Sequence, residues 1–344
     1  MDASYHRYIL QFKQPSGTSR GVLTTKETWF ISLKDGDNVG YGECGLLRGL
    51  SVDDRPDYES KLKWVCENIQ LDRNELLDAL KEFPSIQFGL ETAFLSLNAN
   101  DPFHVFPSKF VKGEDSIAIN GLVWMGSADF MNKQITDKIA SGFKCIKLKI
   151  GAIDFNKELD LINFIRKNFT ANDIEIRVDA NGAFSPDDAL EKLKRLSDLN
   201  LHSIEQPIQP KQISEMAELC IKSPLPIALD EELIGIFDKS DKNILLEQVK
   251  PQYIILKPSL VGGFSKSNDW INCAEKLGIN WWITSALESN VGLNAIAQWT
   301  YTLNNKMYQG LGTGALFNNN FDSPLNVKQG ALYYEESQPW YFKL

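Results

Sequence analysis

CIKLKI at 145–150, EIRVDA at 175–180, SIEQP at 203–207, PIALDE at 226–231 and YIILKPS at 253–259 decide the fold. Each is a short run, mostly apolar, that ends on or near a charged residue and is followed by a polar loop and a helix-period segment. The pattern continues outward through IAINGLVW at 117–124, INWWITSA at 279–286 and MYQGLG at 307–312. The eight runs start 28, 30, 28, 23, 27, 26 and 28 residues apart, the length of a strand with its crossover helix. Strands buried on both faces read as continuously apolar, so eight of them with helices between predict a closed parallel barrel. An open doubly wound sheet is the alternative, but eight near-equal units exceed its usual need, and no G-x-G-x-x-G follows the first strand. After the eighth run, FNNNFDSPLNVKQG reads as a turn-rich loop, so the eighth helix is expected to be missing or replaced.

Inside the barrel, Ser185-Pro186-Asp187-Asp188 reads as an N-cap, a first-position proline and two first-turn acids. Asp154 opens a similar helix, with Leu159, Ile162 and Ile165 on one face. Residues 1–112 follow other rules. YHRYILQF, VLTTKETWFISL and NVGYGECG alternate as strands, with a hairpin turn at Asp35-Gly36-Asp37-Asn38, and helices are expected near 58–69, 73–82 and 87–99. Strands followed by helices make a small α+β domain. The tail, 318–344, with ALYYEES and WYFKL, is expected to complete that domain, leaving 113–317 as the barrel.

The chain has 344 residues, 45 of them acidic and 36 Lys or Arg, a formal charge of −9. That balance repels phosphate backbones and anionic lipid, and with no basic patch in view it argues against nucleic acid and membrane partners. Five scattered cysteines without a C-x-x-C pair argue against a disulfide framework or a zinc ribbon and fit a cytoplasmic protein. No apolar leader or spanning run stands out. With only three histidines, His6, His104 and His202, the chemistry falls to carboxylates and lysines; His202, ahead of its strand, reads as structural.

In a parallel barrel the strand C-termini share one mouth. Those ends carry Lys147 and Lys149, Asp179 and Asn181, Glu205, Asp230 and Glu231, Lys257, then Ser285 and Glu288. Asp179, Glu205 and Asp230 lie 26 and 25 residues apart, so three successive strands each deliver one acid. Clustered carboxylates need a cation to stay ionised, and oxygen-only ligation suits Mg²⁺, with Mn²⁺ able to substitute. Lys149 and Lys257 flank the trio on nearly opposite sides. Lys147 beside Lys149 disfavours a second ammonium, so one lysine is expected to be pushed toward the ~7–8 range of a general base. A base, an opposed cation and a metal that grips carboxylate are the parts for removing a proton alpha to a carboxylate. The substrate is therefore expected to be a small carboxylate. Taken singly, KLK reads as a solvated strand end and each Asp as a helix cap; the shared register favours the functional reading. Gly262-Gly263 at a helix start is read either as an anion cradle on backbone N–H groups or as a plain tight turn.

At KLKIG (147–151), RVDANGAF (177–184), IEQP (204–207), ALDE (228–231) and ILKPSLVGG (255–263) the sequence resembles the enolase superfamily, in its muconate-lactonizing branch. The resemblance covers nearly the whole chain. It implies a modified TIM barrel, (β/α)₇β, under an α+β capping domain built from both chain ends, with Asp179, Glu205 and Asp230 on Mg²⁺ and Lys149 and Lys257 as acid/base and opposed lysines. Within the branch, ITSALESNVGL (283–293), which includes Ser289, is most similar to the o-succinylbenzoate synthases, and Arg177 fits them too. That implies dehydration of 2-succinyl-6-hydroxy-2,4-cyclohexadiene-1-carboxylate on the menaquinone pathway. Gly17-Thr18-Ser19-Arg20-Gly21 resembles the cap loop that closes over substrate, with Arg20 toward the succinyl carboxylate. N-succinylamino acid racemases and dipeptide epimerases share the catalytic parts, but epimerases carry an Asp-x-Asp on strand eight where this chain reads Gly310-Leu311-Gly312-Thr313-Gly314. A non-catalytic ligand-binding barrel would not need two opposed lysines, and a phosphate-handling barrel would leave the three-acid register unexplained.

Overall fold

A computed structural model describes residues 1–18 and 21–344. Strands β1 (Asp2–Thr18), β2 (Gly21–Asp35) and β3 (Asn38–Cys44) form an antiparallel sheet in the order β1-β2-β3. The β2–β3 turn falls at Gly36-Asp37, where Gly36 takes φ 58° and Asp35 pairs with Asn38, as the hairpin signal predicts. Helices α1 (Tyr58–Glu67), α2 (Arg73–Ala79) and α3 (Pro84–Leu97) follow. Trp29, Ile31 and Leu33, alternate residues of β2, point to the face those helices cover and build a core with Leu62, Val65, Ile86 and Leu90. Helix α3 is buried almost all round because it lies between this cap and the barrel.

The first expected barrel run splits. Strand β4 (Ser116–Ala118) pairs antiparallel with a strand of the tail, and only β5 (Gly121–Val123) enters the barrel. The barrel continues as α4 (Ala128–Ala140), β6 (Cys145–Lys149), α5 (Phe155–Asn168), β7 (Glu175–Asp179), α6 (Pro186–Ser197), β8 (Ser203–Glu205), α7 (Ile213–Lys222), β9 (Ile227–Leu229), α8 (Lys239–Val249), β10 (Tyr253–Leu256), the single turn α9 (Pro258–Val261), α10 (Gly263–Lys276), β11 (Asn280–Ile283) and α11 (Asn290–Thr302). Its seven strands run parallel in chain order from β5 to β11. The eighth run closes the ring with two parallel bridges, Thr284 to Gly310 and Gln309 to Ile119, and no α-helix follows it. Within FNNNFDSPLNVKQG the structure forms β12 (Leu325–Lys328), which turns back into β13 (Ala331–Tyr334), the partner of β4. Farther on, Trp340 stacks on Phe103 with centroids 4.2 Å apart and Phe342 meets Phe30 at 5.5 Å.

Helix starts follow the sequence with one variation. Asp154 caps α5 by accepting from the N–H groups of Asn156 and Lys157 at 3.1 and 3.3 Å. Ser185 leads into α6 without accepting such a bond; its hydroxyl donates to Asp188 at 2.9 Å. The buried face of α6 is Ala189, Leu193 and Leu196. All five cysteines are free thiols, and among the described residues no helix is long and apolar enough to cross a membrane.

Candidate active site

Parallel register sets the site. Lys147 is level with Arg177 and Lys149 with Asp179 across β6 and β7, and Asp179 is level with Glu205 on β8. Residues two apart on a strand share a face, so Lys147 and Lys149 both point inward, with the acids opposite. Lys147 Nζ lies 2.9 Å from Asp179 and contacts Glu205 as well. Lys149 Nζ lies 3.0 Å from Asp179 and donates to Asn181 Oδ1 at 2.7 Å. Lys257, one residue past β10, pairs with Asp230. Three carboxylates thus face three ammonium groups.

The acids are almost wholly buried, side-chain exposure falling to 1% at Asp179 and 3% at Glu205. Burial alone would raise the Asp179 carboxyl, but the ammonium groups of Lys147, Lys149 and Lys257 outweigh it and hold it far below the usual range. Glu205 goes the other way: burial, then the charge of Asp179, push its carboxyl well above the ordinary value. Neither Lys147 nor Lys257 is depressed toward the general-base range expected from sequence. Burial lowers each, but the acids around them raise both above a normal lysine. Burial pulls Lys242 down to about 8, where it donates to the Lys266 carbonyl at 2.9 Å outside the cavity lining, and burial also lowers Lys26 and Lys138.

The donors fit a hard divalent cation in chemistry. Glu205 is buried with Oε1 lacking a partner and Oε2 met by the ammonium of Lys147, which stands in as the positive charge between Asp179 and Glu205. The side chains as placed are drawn to their lysines, and no three His, Cys, Asp or Glu residues converge on one point among the described residues.

Above this layer opens a cavity of about 350 Å³. Lys147, Lys149, Asp179, Asn181, Glu231 and Lys257 form its charged floor. Its upper wall is mostly apolar: Leu23, Leu47 and Leu50 come from the cap, with Arg48 beside them, and Trp124, Leu287 and Leu316 from the barrel. Gly310, Gly312 and Thr313 supply the eighth-strand side, with no acid.

The comparisons agree with this architecture at every scale. A family model described as enolase C-terminal domain-like matches residues 131–339, and one described as the MenC N-terminal domain matches residues 1–97. An o-succinylbenzoate synthase of Desulfotalea psychrophila is 48% identical, with 96% of this chain and 98% of that protein covered. The chain belongs to the o-succinylbenzoate synthase family. Among solved structures, MenC from the same organism superposes with a TM-score of 0.86 at 44% identity, covering 97% of this chain and 99% of that one. A dipeptide epimerase from Enterococcus faecalis, solved with Mg and a dipeptide, shares the fold at TM-score 0.81 and 17% identity, over 97% of each chain.

In this o-succinylbenzoate synthase family member, several residues expected at the substrate have other partners. Arg177 lies a layer below the acids: its guanidinium stacks 4.1 Å from the Trp282 ring centroid, bonds Glu175 at 2.7 Å and donates to the Tyr308 carbonyl. It does not line the cavity. Glu288 is fully buried under the turn after β11, accepting from the Ser285 hydroxyl and the Ala286 N–H at 2.5 and 2.8 Å and from Ser259. Ser289 donates its hydroxyl to Glu43 of the cap at 2.5 Å. Gly262-Gly263 is no free anion cradle, because a cap carboxylate, Glu91, already accepts from the N–H of Phe264 at 2.6 Å and of Ser265 at 3.1 Å. Ser285 does reach the cavity, bonded to Thr313 at 2.9 Å. His202 is structural: its ring packs 4.8 Å from Tyr253 and its Nδ1 is 2.9 Å from the Ser203 hydroxyl. Ser19 and Arg20 lie outside the described residues. The leucine wall was not legible in sequence, since isolated apolar loop residues carry no periodic signal. Leu287 at φ 65°, a strained conformation for a branched side chain, is visible only in three dimensions.

Proposed function

We propose that this protein is an o-succinylbenzoate synthase, a carbon–oxygen lyase that dehydrates 2-succinyl-6-hydroxy-2,4-cyclohexadiene-1-carboxylate to o-succinylbenzoate for menaquinone synthesis. The observation that carries the reading is the shared cavity floor of Lys149 and Lys257, above three buried acids and under an apolar wall without an eighth-strand carboxylate. A ring-bearing dicarboxylate suits that wall; a dipeptide ammonium would find no acid on the eighth strand.

Asp179, Glu205 and Asp230 would hold Mg²⁺, with Mn²⁺ as a substitute. When bound, such a cation supplies the positive charge that holds a substrate carboxylate and offsets the negative charge that gathers on it as the alpha proton leaves. Lys149, with its Nζ at the cavity floor, takes that proton in its neutral form. Asn181, accepting from Lys149, fixes the direction of the Nζ. Lys257 stays protonated, as its acidic surroundings favour, and lies against the opposite ring face as a cation over the π system. The proton on Lys149 passes to the departing hydroxyl, so water leaves and the ring becomes aromatic. The leucines from cap and barrel keep bulk water from the reacting carbon. The five free thiols suit a reducing compartment and support a cytoplasmic setting.

The test is to incubate purified protein and Mg²⁺ with the cyclohexadiene substrate and follow aromatisation, beside N-succinylamino acids and dipeptides in D₂O. Aromatisation is expected to dominate. Alpha-proton exchange on a dipeptide without aromatisation would replace the reading with epimerase chemistry.

A further inference from the structure

The segment that follows Lys257 is held by the cap. Lys257 follows β10 directly, α9 makes one buried turn, and Gly262 and Gly263, at φ 98° and 83°, reverse the chain into α10. Glu91 of α3 reaches across the domain boundary to this point. Its carboxylate accepts from the Phe264 and Ser265 N–H groups, the first free donors of α10. Both glycines are shaped around α3: a Cβ on Gly263 would sit 2.2 Å from Glu91 Oε2, and one on Gly262 would sit 2.5 Å from Gln87 Oε1. A second restraint acts midway, where the Ser259 hydroxyl donates to Glu288. At its start, Leu260 N–H bonds the Lys257 carbonyl at 2.8 Å. The strap from 257 to 264 is therefore fixed at three points, and its far end is fixed by a residue of the other domain.

We propose that Glu91 is a positioning residue for Lys257, so that docking of the cap sets the placement of the lysine opposed to the base. The assignment rests on the lyase reading above for the role of Lys257. Glu91 touches neither the cavity nor the acids. Displacements near 1 Å at a reacting group cost up to about 100-fold in rate, so loosening this strap acts on turnover. Substrate retention depends on the acids and the leucine wall, which Glu91 leaves alone.

E91Q keeps the size and one acceptor oxygen; E91A removes both; G263A drives a methyl group into the carboxylate. Each is assayed for aromatisation at a temperature where its thermal unfolding curve shows it folded. The expected result is a kcat about tenfold lower in E91Q and lower still in E91A, with KM within about twofold of the parent. G263A, whose glutamate is intact but displaced, is expected to match the E91A loss. A wild-type kcat in E91Q at that temperature overturns the proposal, however far its unfolding midpoint has dropped, because it makes the contact purely structural. A rise in KM with unchanged kcat overturns it too. Should the parent protein not aromatise the substrate, the functional reading has failed instead. The same three variants are then ranked by alpha-proton exchange on an N-succinylamino acid or dipeptide that the parent turns over, which also uses Lys257, and an unchanged exchange rate in E91Q rejects the positioning role.

Discussion

Lys149 and Asn181 are joined by a 2.7 Å hydrogen bond from ammonium to amide oxygen, and the Asn181 amide nitrogen passes the connection on to Glu231 at 3.0 Å. The orientation of that amide is forced, since an ammonium has no lone pair and a carboxylate only accepts. Asn181 holds φ 44° and its own N–H donates to Asp179 at 3.0 Å, so backbone and side chain both aim it at the lysine. Asn181→Gly tolerates the same backbone and removes the amide, both the acceptor for Lys149 and the donor to Glu231. We expect kcat to fall roughly 10-fold to 100-fold with the fold retained. Steady-state kinetics with a thermal melt checks this, and an unaltered kcat would remove Asn181 from the machinery.

Lys149→Ala deletes the proposed base and acid together. A positioned proton-transfer group is worth about 10²–10⁴ in rate, so turnover should drop by at least that factor with little change in unfolding midpoint. A variant keeping a tenth of the parent rate would put the proton transfer elsewhere.

Removal of divalent cations by a chelator should abolish turnover, and Mg²⁺ or Mn²⁺ should restore it. Glu205, buried with Oε1 unpartnered and Oε2 held only by the Lys147 ammonium, is the residue that most needs that charge. Cation binding should also raise the unfolding midpoint, because a ligand that binds only the native state stabilises it. Full activity after exhaustive dialysis against chelator would make the three acids structural.

His202 gives a pH dependence independent of the active-site charges. Burial, partly offset by the Glu175 carboxylate and with a smaller contribution from Arg177, lowers its pKa to about 4 from the usual 6.5. The unfolded chain therefore binds a proton between those values that the native state refuses. The stability linked to this group is complete above about pH 6.5 and is lost as the pH falls toward 4, on the order of 3 kcal/mol in all. Denaturant unfolding at pH 7 and pH 5 should show a smaller difference in His202→Asn than in the parent. Equal differences in the two proteins would refute the linkage.

The acids and lysines of the floor were legible because a barrel repeats. One polar residue at the end of each apolar run falls on one rim, so Asp179, Glu205, Asp230, Lys149 and Lys257 announce themselves by register. The same signal also picks out Glu288, which locks a turn, and of the two readings open for Gly262-Gly263 the tight turn is the one the structure supports. A residue after a strand looks alike whether it meets a ligand or locks a turn. What separates the cases is a partner distant in sequence: Glu91 is 173 positions from Phe264, and Glu43 is 246 from Ser289. Single-chain periodicity carries no information at that range. For a related reason Lys147 is not depressed, since it is set among acids whose depth only the folded structure reveals.

The aromatic cluster under β2 has a consequence for how the protein is made. Phe30 and Tyr41 are translated 291 and 301 residues before Phe321 and Phe342, which pack against them at 5.4 and 4.9 Å. Domains tend to fold in the order of synthesis. Here the cap strands are made before the barrel, yet their outer aromatic layer can close only after the barrel has been synthesised.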